Sequence, residues 1–207
     1  MASRREHWEK VYGSRGAEEQ SWFQPRPETS LQLIEQTGRP LSARIIDVGG
    51  GSARLVDVLL ERGYRNLTVL DISASAIEEA KQRLGSAAED VQWIEADITS
   101  GSPLGSFDIW HDRAVFHFLT EPEERAAYLQ ALRRSLVAGG RAIIATFAED
   151  GPAQCSGLPV VRYSPDALSA ELGRNLALIE VRREVHRTPA GREQSFVYSL
   201  FRHTPSS

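Results

Sequence analysis

Through most of this sequence, short runs rich in β-branched residues alternate with stretches whose apolar residues recur at helical spacing. Two neighbouring parallel strands need a crossover between them, and a helix is the usual one, so the rhythm dictates a parallel sheet with helices packed on it. Strands are expected at 43–48, 67–71, 91–96, 107–111 and 141–147. A helix over 52–62 turns Leu55, Val58 and Leu59 inward and stops at Gly63. Ser73 caps the next, in which Ile77, Ala80 and Leu84 share a face up to Gly85. Thr120 and Glu123 form a capping box for a long helix carrying Tyr128, Leu129, Leu132 and Leu136, ended by Gly139-Gly140. Ser164-Pro165-Asp166 opens a short helix. The runs at 178–186 and 195–202 are too close for a crossover and pair as an antiparallel hairpin.

The 207 residues fit one domain over 1–207. Within it, 1–40 is an aromatic arm and helix, 41–150 the core, and 151–207 a loop, helix and hairpin. With 41% hydrophobic and 25% charged residues, extended disorder is excluded. The net charge of -4 offers no basic face for a nucleic acid, because the arginines of the last third interleave with Glu180, Glu184 and Glu193. Cys155 is the single cysteine, which rules out an internal disulfide and a thiolate metal cluster; no metal is expected. No secretory signal and no apolar run of about 20 residues is visible, so the expectation is a cytoplasmic protein without membrane contact.

Chemistry concentrates where the first three strands end. Gly49-Gly50-Gly51 lets a ligand approach the backbone between a strand and a helix N-terminus. Asp71, ending the second strand, lies across that crevice and can accept hydrogen bonds from both hydroxyls of a ribose. A nicotinamide dinucleotide uses the same two parts, but its fingerprint needs a small residue where Arg54 stands. Asp97, leaving the third strand, can take the exocyclic amine of an adenine, with Ile72 and Ile98 apolar against its faces.

The series 45–53, Asp71, Ala96-Asp97-Ile98, Phe107-Asp108-Ile109-Trp110 and 136–141 resembles the motifs of class I S-adenosylmethionine-dependent methyltransferases, along almost the whole chain. The resemblance implies an α/β, Rossmann-like methyltransferase fold, with a seven-stranded, mostly parallel sheet closed by an antiparallel C-terminal hairpin. It further implies S-adenosylmethionine as cofactor. Gly49, Gly50 and Gly51 would line its methionine moiety and Asp47 would orient the methionine amino group. Asp71 would hold the ribose, Ile72 would pack on the adenine, and Asp97 would bind its amine. Where the family usually has Gly, this chain has Ala53.

Two regions are candidates for the acceptor side. Trp8, Tyr12, Trp22 and Phe23 place aromatic faces in the arm, where Trp22 could meet a sulfonium. The second region runs from His111 to His117 beyond the fourth strand. Asp112, Arg113 and His117 are its catalytic candidates, and His111 is grouped with the cofactor residues. These regions resemble thiopurine and thiol methyltransferases, matched by Asp112-Arg113-Ala114, and the arm resembles that of elongation-factor lysine methyltransferases. A small-molecule acceptor, possibly a thiol, is favoured over a protein lysine. A nicotinamide oxidoreductase and a silent cofactor-binding module are the readings from other classes. Cys155, on the same rim, is expected to be a packed residue.

Overall fold

The computed structural model describes residues 3–14 and 16–204; the remaining residues of the expected 1–207 domain, including Arg15 of the arm, lie outside the described residues. Helix α1 (Arg4–Ser14) and helix α2 (Glu28–Gln36) precede strand β1 (Arg44–Val48). There follow α3 (Leu55–Glu61), β2 (Asn66–Asp71), α4 (Ala74–Leu84), β3 (Val91–Glu95), β4 (Phe107–Arg113), α5 (Pro122–Ser135) and β5 (Leu136–Phe147). A miniature hairpin of β6 (Gln154–Cys155) and β7 (Leu158–Pro159) leads to α6 (Pro165–Leu172), and β8 (Leu176–Arg187) and β9 (Glu193–His203) close the fold.

Seven strands form one sheet in the order β3-β2-β1-β4-β5-β9-β8. The first five run parallel; β9 lies antiparallel between β5 and β8. This is a Rossmann-like α/β sheet with a reversed last strand. Both faces are covered. Ile45, Leu67, Val69 and Ile143 pack with Leu31, Leu33 and Ile34 of α2 and with Leu55, Val58 and Leu59 of α3. Ile46, Trp110, Ala142 and Ile144 pack on the opposite side with Tyr128 and Leu132 of α5 and Leu168 of α6. Such two-sided burial is what the near-continuous apolar strands require.

Capping follows local chemistry at two helices. Ser73 accepts the Ala76 N–H and Ser164 accepts that of Ala167. The structure corrects the sequence reading elsewhere. The expected capping box of Thr120 and Glu123 does not form. Pro122 occupies the first turn of α5, where its missing N–H is no loss, and the Thr120 hydroxyl turns to Glu121 instead. Leu136 belongs to β5 rather than α5: it pairs with Phe107 and is buried there, which satisfies its place in the apolar pattern equally well. Helix α3 begins at Leu55, not 52, because the glycine turn runs on through Ala53, whose N–H bonds the Gly50 carbonyl. Strand β4 runs two residues past its expected end, to Arg113, and this extension decides the side-chain directions at the site.

Candidate active site

Strand β1 lies between β2 and β4, so the chain leaves it in one direction and returns on the other side. The crevice at such a switch point is open to a ligand. Gly49 turns the chain out of β1, its N–H held by the Leu70 carbonyl at 2.7 Å. Its φ of +70° favours glycine, and a β-carbon there would collide with the side chain of Val115. The next two glycines serve neighbours instead. A β-carbon on Gly50 would stand 2.5 Å from Asp47 Oδ2, and one on Gly51 2.5 Å from Asp71 Oδ2. Two carboxylates therefore press against bare backbone on either side of the turn.

Asp71 is 4% exposed and accepts the Ser73 N–H at 2.9 Å through Oδ1. Burial pushes its carboxyl up to about 7; the Asp47 and Glu9 charges push the same way, while the Ser73 and Ile72 amides oppose them. A buried carboxylate with no cation beside it is a group that gains from incoming hydroxyl donors. Asp47 is spoken for differently. Its Oδ1 lies 2.7 Å from His111 Nδ1, and His111 Nε2 lies 2.9 Å from the Ser30 hydroxyl on α2. All three residues are buried, so Asp47 is held in one orientation by a hydrogen-bonded chain.

A cavity occupies the crevice. One wall is Gly49, Asp71, Ile72, Asp97 and Ile98; the other carries Trp8, Tyr12 and Trp22 of the arm with Phe118. A second cavity is lined by Ser30, Asp47, Gly50 and His111, and meets the first at Trp22, Gly49 and Arg113. The roof is α1. Trp8 meets Trp22 and Phe118 edge-on, with ring centroids 5.8 and 5.0 Å away. Helix α1 is latched by polar contacts: Glu9 accepts the Ala74 N–H at the start of α4, and Arg4 pairs with Asp97 and Glu124.

Of the three catalytic candidates, Asp112, Arg113 and His117, Arg113 alone reaches the cavities, lining both. Its Nε donates to the Tyr198 hydroxyl at 2.9 Å and its Nη1 to the Trp22 carbonyl at 3.1 Å. The guanidinium lies 4.4 Å over the Phe196 ring. Asp112 and His117 are corrected. Asp112 is fully buried, lines neither cavity, and accepts from Val115 N–H at 2.8 Å and from the Tyr128 hydroxyl at 2.6 Å. Burial pushes its carboxyl up to about 6. It shapes the turn after β4, bonding the amides of Val115 and Phe116. His117 is likewise fully buried and accepts the Phe147 N–H through Nδ1 at 3.2 Å; burial pushes its pKa down to about 3, so it stays neutral. Asp97 lines the first cavity, but Oδ1 accepts from the backbone and hydroxyl of Thr99 and Oδ2 faces Arg4 at 3.2 Å. A ligand amine would share this carboxylate with Arg4.

Arg54, the residue that disfavours a dinucleotide, lies beside Phe23 and pairs with Glu18 and Asp57 at the rim of the second cavity. Cys155 is buried on the cavity wall, and burial pushes its thiol up, which keeps it protonated. Ala114 holds φ +72°, the left-handed conformation that glycine adopts freely. Sequence reasoning missed Ser30 and Gln194. Ser30 gives no local sign, whereas Gln194 shares a strand face with Phe196 and Tyr198 by simple alternation. Among the described residues no helix is long and apolar enough to cross a membrane, and no group of three or more His, Cys, Asp or Glu could hold a metal.

A family model described as a methyltransferase domain matches residues 45–140. The eEF1A lysine and N-terminal methyltransferase of Danio rerio is 26% identical over 149 residues, 70% of this chain and 21% of its own length. The chain thus spans about a fifth of the length of the first curated relatives that it matches. The solved N-methyltransferase NodS from Bradyrhizobium japonicum, in complex with S-adenosylhomocysteine, superposes with a TM-score of 0.73 at 18% identity, covering 98% of this chain and 100% of that one. The 1,6-didemethyltoxoflavin-N1-methyltransferase of Burkholderia thailandensis gives 0.67 at 23% identity, covering 97% and 84%. At these identities the two structures establish the shared fold.

Proposed function

We propose that this chain is a class I S-adenosylmethionine-dependent methyltransferase that transfers a methyl group to a small molecule held under the aromatic arm. The observation that carries the reading is the pair of buried carboxylates, Asp47 and Asp71, pressed against the glycine turn. Asp71 lines one and Asp47 the other of two adjoining cavities that together suit an extended ligand with a nucleoside at one end and an amino acid at the other.

When bound, S-adenosylmethionine would supply an electrophilic methyl carbon on a sulfonium, ready for in-line displacement. The residues of this chain do the rest. Asp71 would accept the ribose hydroxyls, Ile72 and Ile98 would flank the base, and Asp97 would receive its amine beside Arg4. Asp47, steadied by His111 and Ser30, would take the amino group at the far end. Trp22 and Arg113, at the junction, face the transfer point. Excluding water and fixing the attack line are the main contributions, and positioning of this kind can be worth roughly 7–11 kcal/mol.

The acceptor side favours a small molecule, because the first cavity is roofed by Trp8, Tyr12 and Trp22 rather than open to a protein surface. Two relatives support different acceptors: the name of the Burkholderia enzyme specifies a small heterocycle, that of the Danio enzyme a protein lysine. Incubating the protein with a cell extract and methyl-labelled S-adenosylmethionine tests the choice. Label in the small-molecule fraction supports the proposal; label confined to protein replaces it with lysine methylation.

A further inference from the structure

The wall of the first cavity carries two buried polar atoms, on Arg113 and Gln194, without a hydrogen-bond partner among the described residues. Arg113 is a tenth exposed, and its Nη2 is buried and donates no hydrogen bond; the nearest carboxylate, that of Glu184, lies 3.9 Å away. Gln194 is 8% exposed, and its Oε1 is buried without a partner. Leaving one buried polar atom unpaired typically costs about 1–3 kcal/mol. Two such atoms on the wall of one cavity point to a ligand that completes them.

Their arrangement sets what the ligand is. Gln194, Phe196 and Tyr198 alternate along β9 and so point from one face, with neighbours roughly 7 Å apart. Arg113 lies over Phe196, bonds Tyr198 and lines the same cavity as Gln194. One side offers an N–H donor, the other a carbonyl acceptor, and the surroundings are the rings of Trp22 and Phe196. Gln194, Trp22 and Cys155 also line an outer groove leading past Thr188 and Arg192, which gives a molecule a way in.

We infer that the methyl acceptor is a neutral, planar heterocycle that presents a carbonyl oxygen to Arg113 Nη2 and an N–H to Gln194 Oε1. A cation is disfavoured by the guanidinium and by the positive sulfonium of the cofactor. An anion is disfavoured by Glu184 and by the lone pairs of Gln194. The inference rests on the methyltransferase reading and names the class of acceptor.

The test uses three matched probes titrated by ligand-detected NMR into the protein saturated with S-adenosylhomocysteine. They are 2-quinolone, its N-methyl derivative, which lacks the N–H, and quinoline, which lacks the oxygen. Wild-type protein is expected to bind 2-quinolone about tenfold more tightly than either of the others. Gln194→Met is expected to erase the preference over the N-methyl compound while keeping the preference over quinoline, with the thermal midpoint reporting that the variant is folded. Equal binding of all three, no binding of any, or an unaltered preference in folded Gln194→Met overturns the inference. Failure to bind S-adenosylhomocysteine itself would instead overturn the reading beneath it.

Discussion

The carboxylate of Asp71 overhangs the backbone of Gly51 so closely that its Oδ2 lies 2.5 Å from where a β-carbon would stand. The bare backbone and the buried acid are thus one device: the third glycine of the turn is what allows the acid to occupy the crevice.

Gly51→Ala is therefore expected to displace Asp71 and not merely to strain the turn. The Asp71 side chain is what must yield, since the added carbon is closed in by Ala76 Cβ at 3.0 Å. Calorimetry with S-adenosylhomocysteine should show binding reduced by about tenfold or more, in keeping with the loss of a charged hydrogen-bonding partner.

Asp71→Asn should move stability and binding in opposite directions. Folding raises the carboxyl from 3.8 to about 7, so the folded chain holds the proton more tightly than the unfolded one. Stability from that proton is whole below pH 3.8 and is lost as pH rises through about 7. Asparagine keeps the acceptor for Ser73 N–H without the charge. At pH 8 the variant should be more stable by on the order of 1–3 kcal/mol in urea unfolding, and should bind the nucleoside more weakly.

Ligand affinity should depend on pH through the same group. Donors on a ribose favour the charged carboxylate, so binding lowers its pKa and releases a proton near neutrality. Affinity for S-adenosylhomocysteine should be level above about 7 and fall below it, by up to about tenfold per pH unit. Asp71→Asn should flatten the profile; a wild-type profile that is already flat between pH 6 and 8 would dissociate Asp71 from the ligand.

Ala114 stands at φ +72° on the cavity wall, a conformation that costs an L-residue roughly 1–2 kcal/mol. Ala114→Gly should therefore stabilise the protein by a few tenths to about 1 kcal/mol after the extra backbone entropy of glycine is counted. Thermal unfolding reads this directly, and a lower midpoint would show that the alanine methyl contributes packing that outweighs its strain.

Much of the fold was legible because its signals are local. The strand-glycine turn after Val48, the Ser73 cap and the closely spaced final strands each follow from a few adjacent residues, and all are present. The acidic residues of the crevice were visible for the same reason, being placed by strand ends. The end of β4 was misread by two residues, and the added length decides which side chains face the cavities. Along an extended strand, Asp47-facing His111 and cavity-facing Arg113 share one side, while Asp112 must point to the other and enters the core beside Tyr128. Read as a turn, the three residues carry no such rule. Ser30 and Gln194 come from elements distant in sequence, and only the packing of α2 on the sheet and the pairing of β9 with β5 bring them to the site.

The most direct measurement is calorimetric titration of the purified protein with S-adenosylhomocysteine at pH 8, beside the Asp71→Asn variant. The account predicts saturable binding at one site per chain, weakened about tenfold or more by the substitution. Absence of binding, or equal binding by the two proteins, would contradict it.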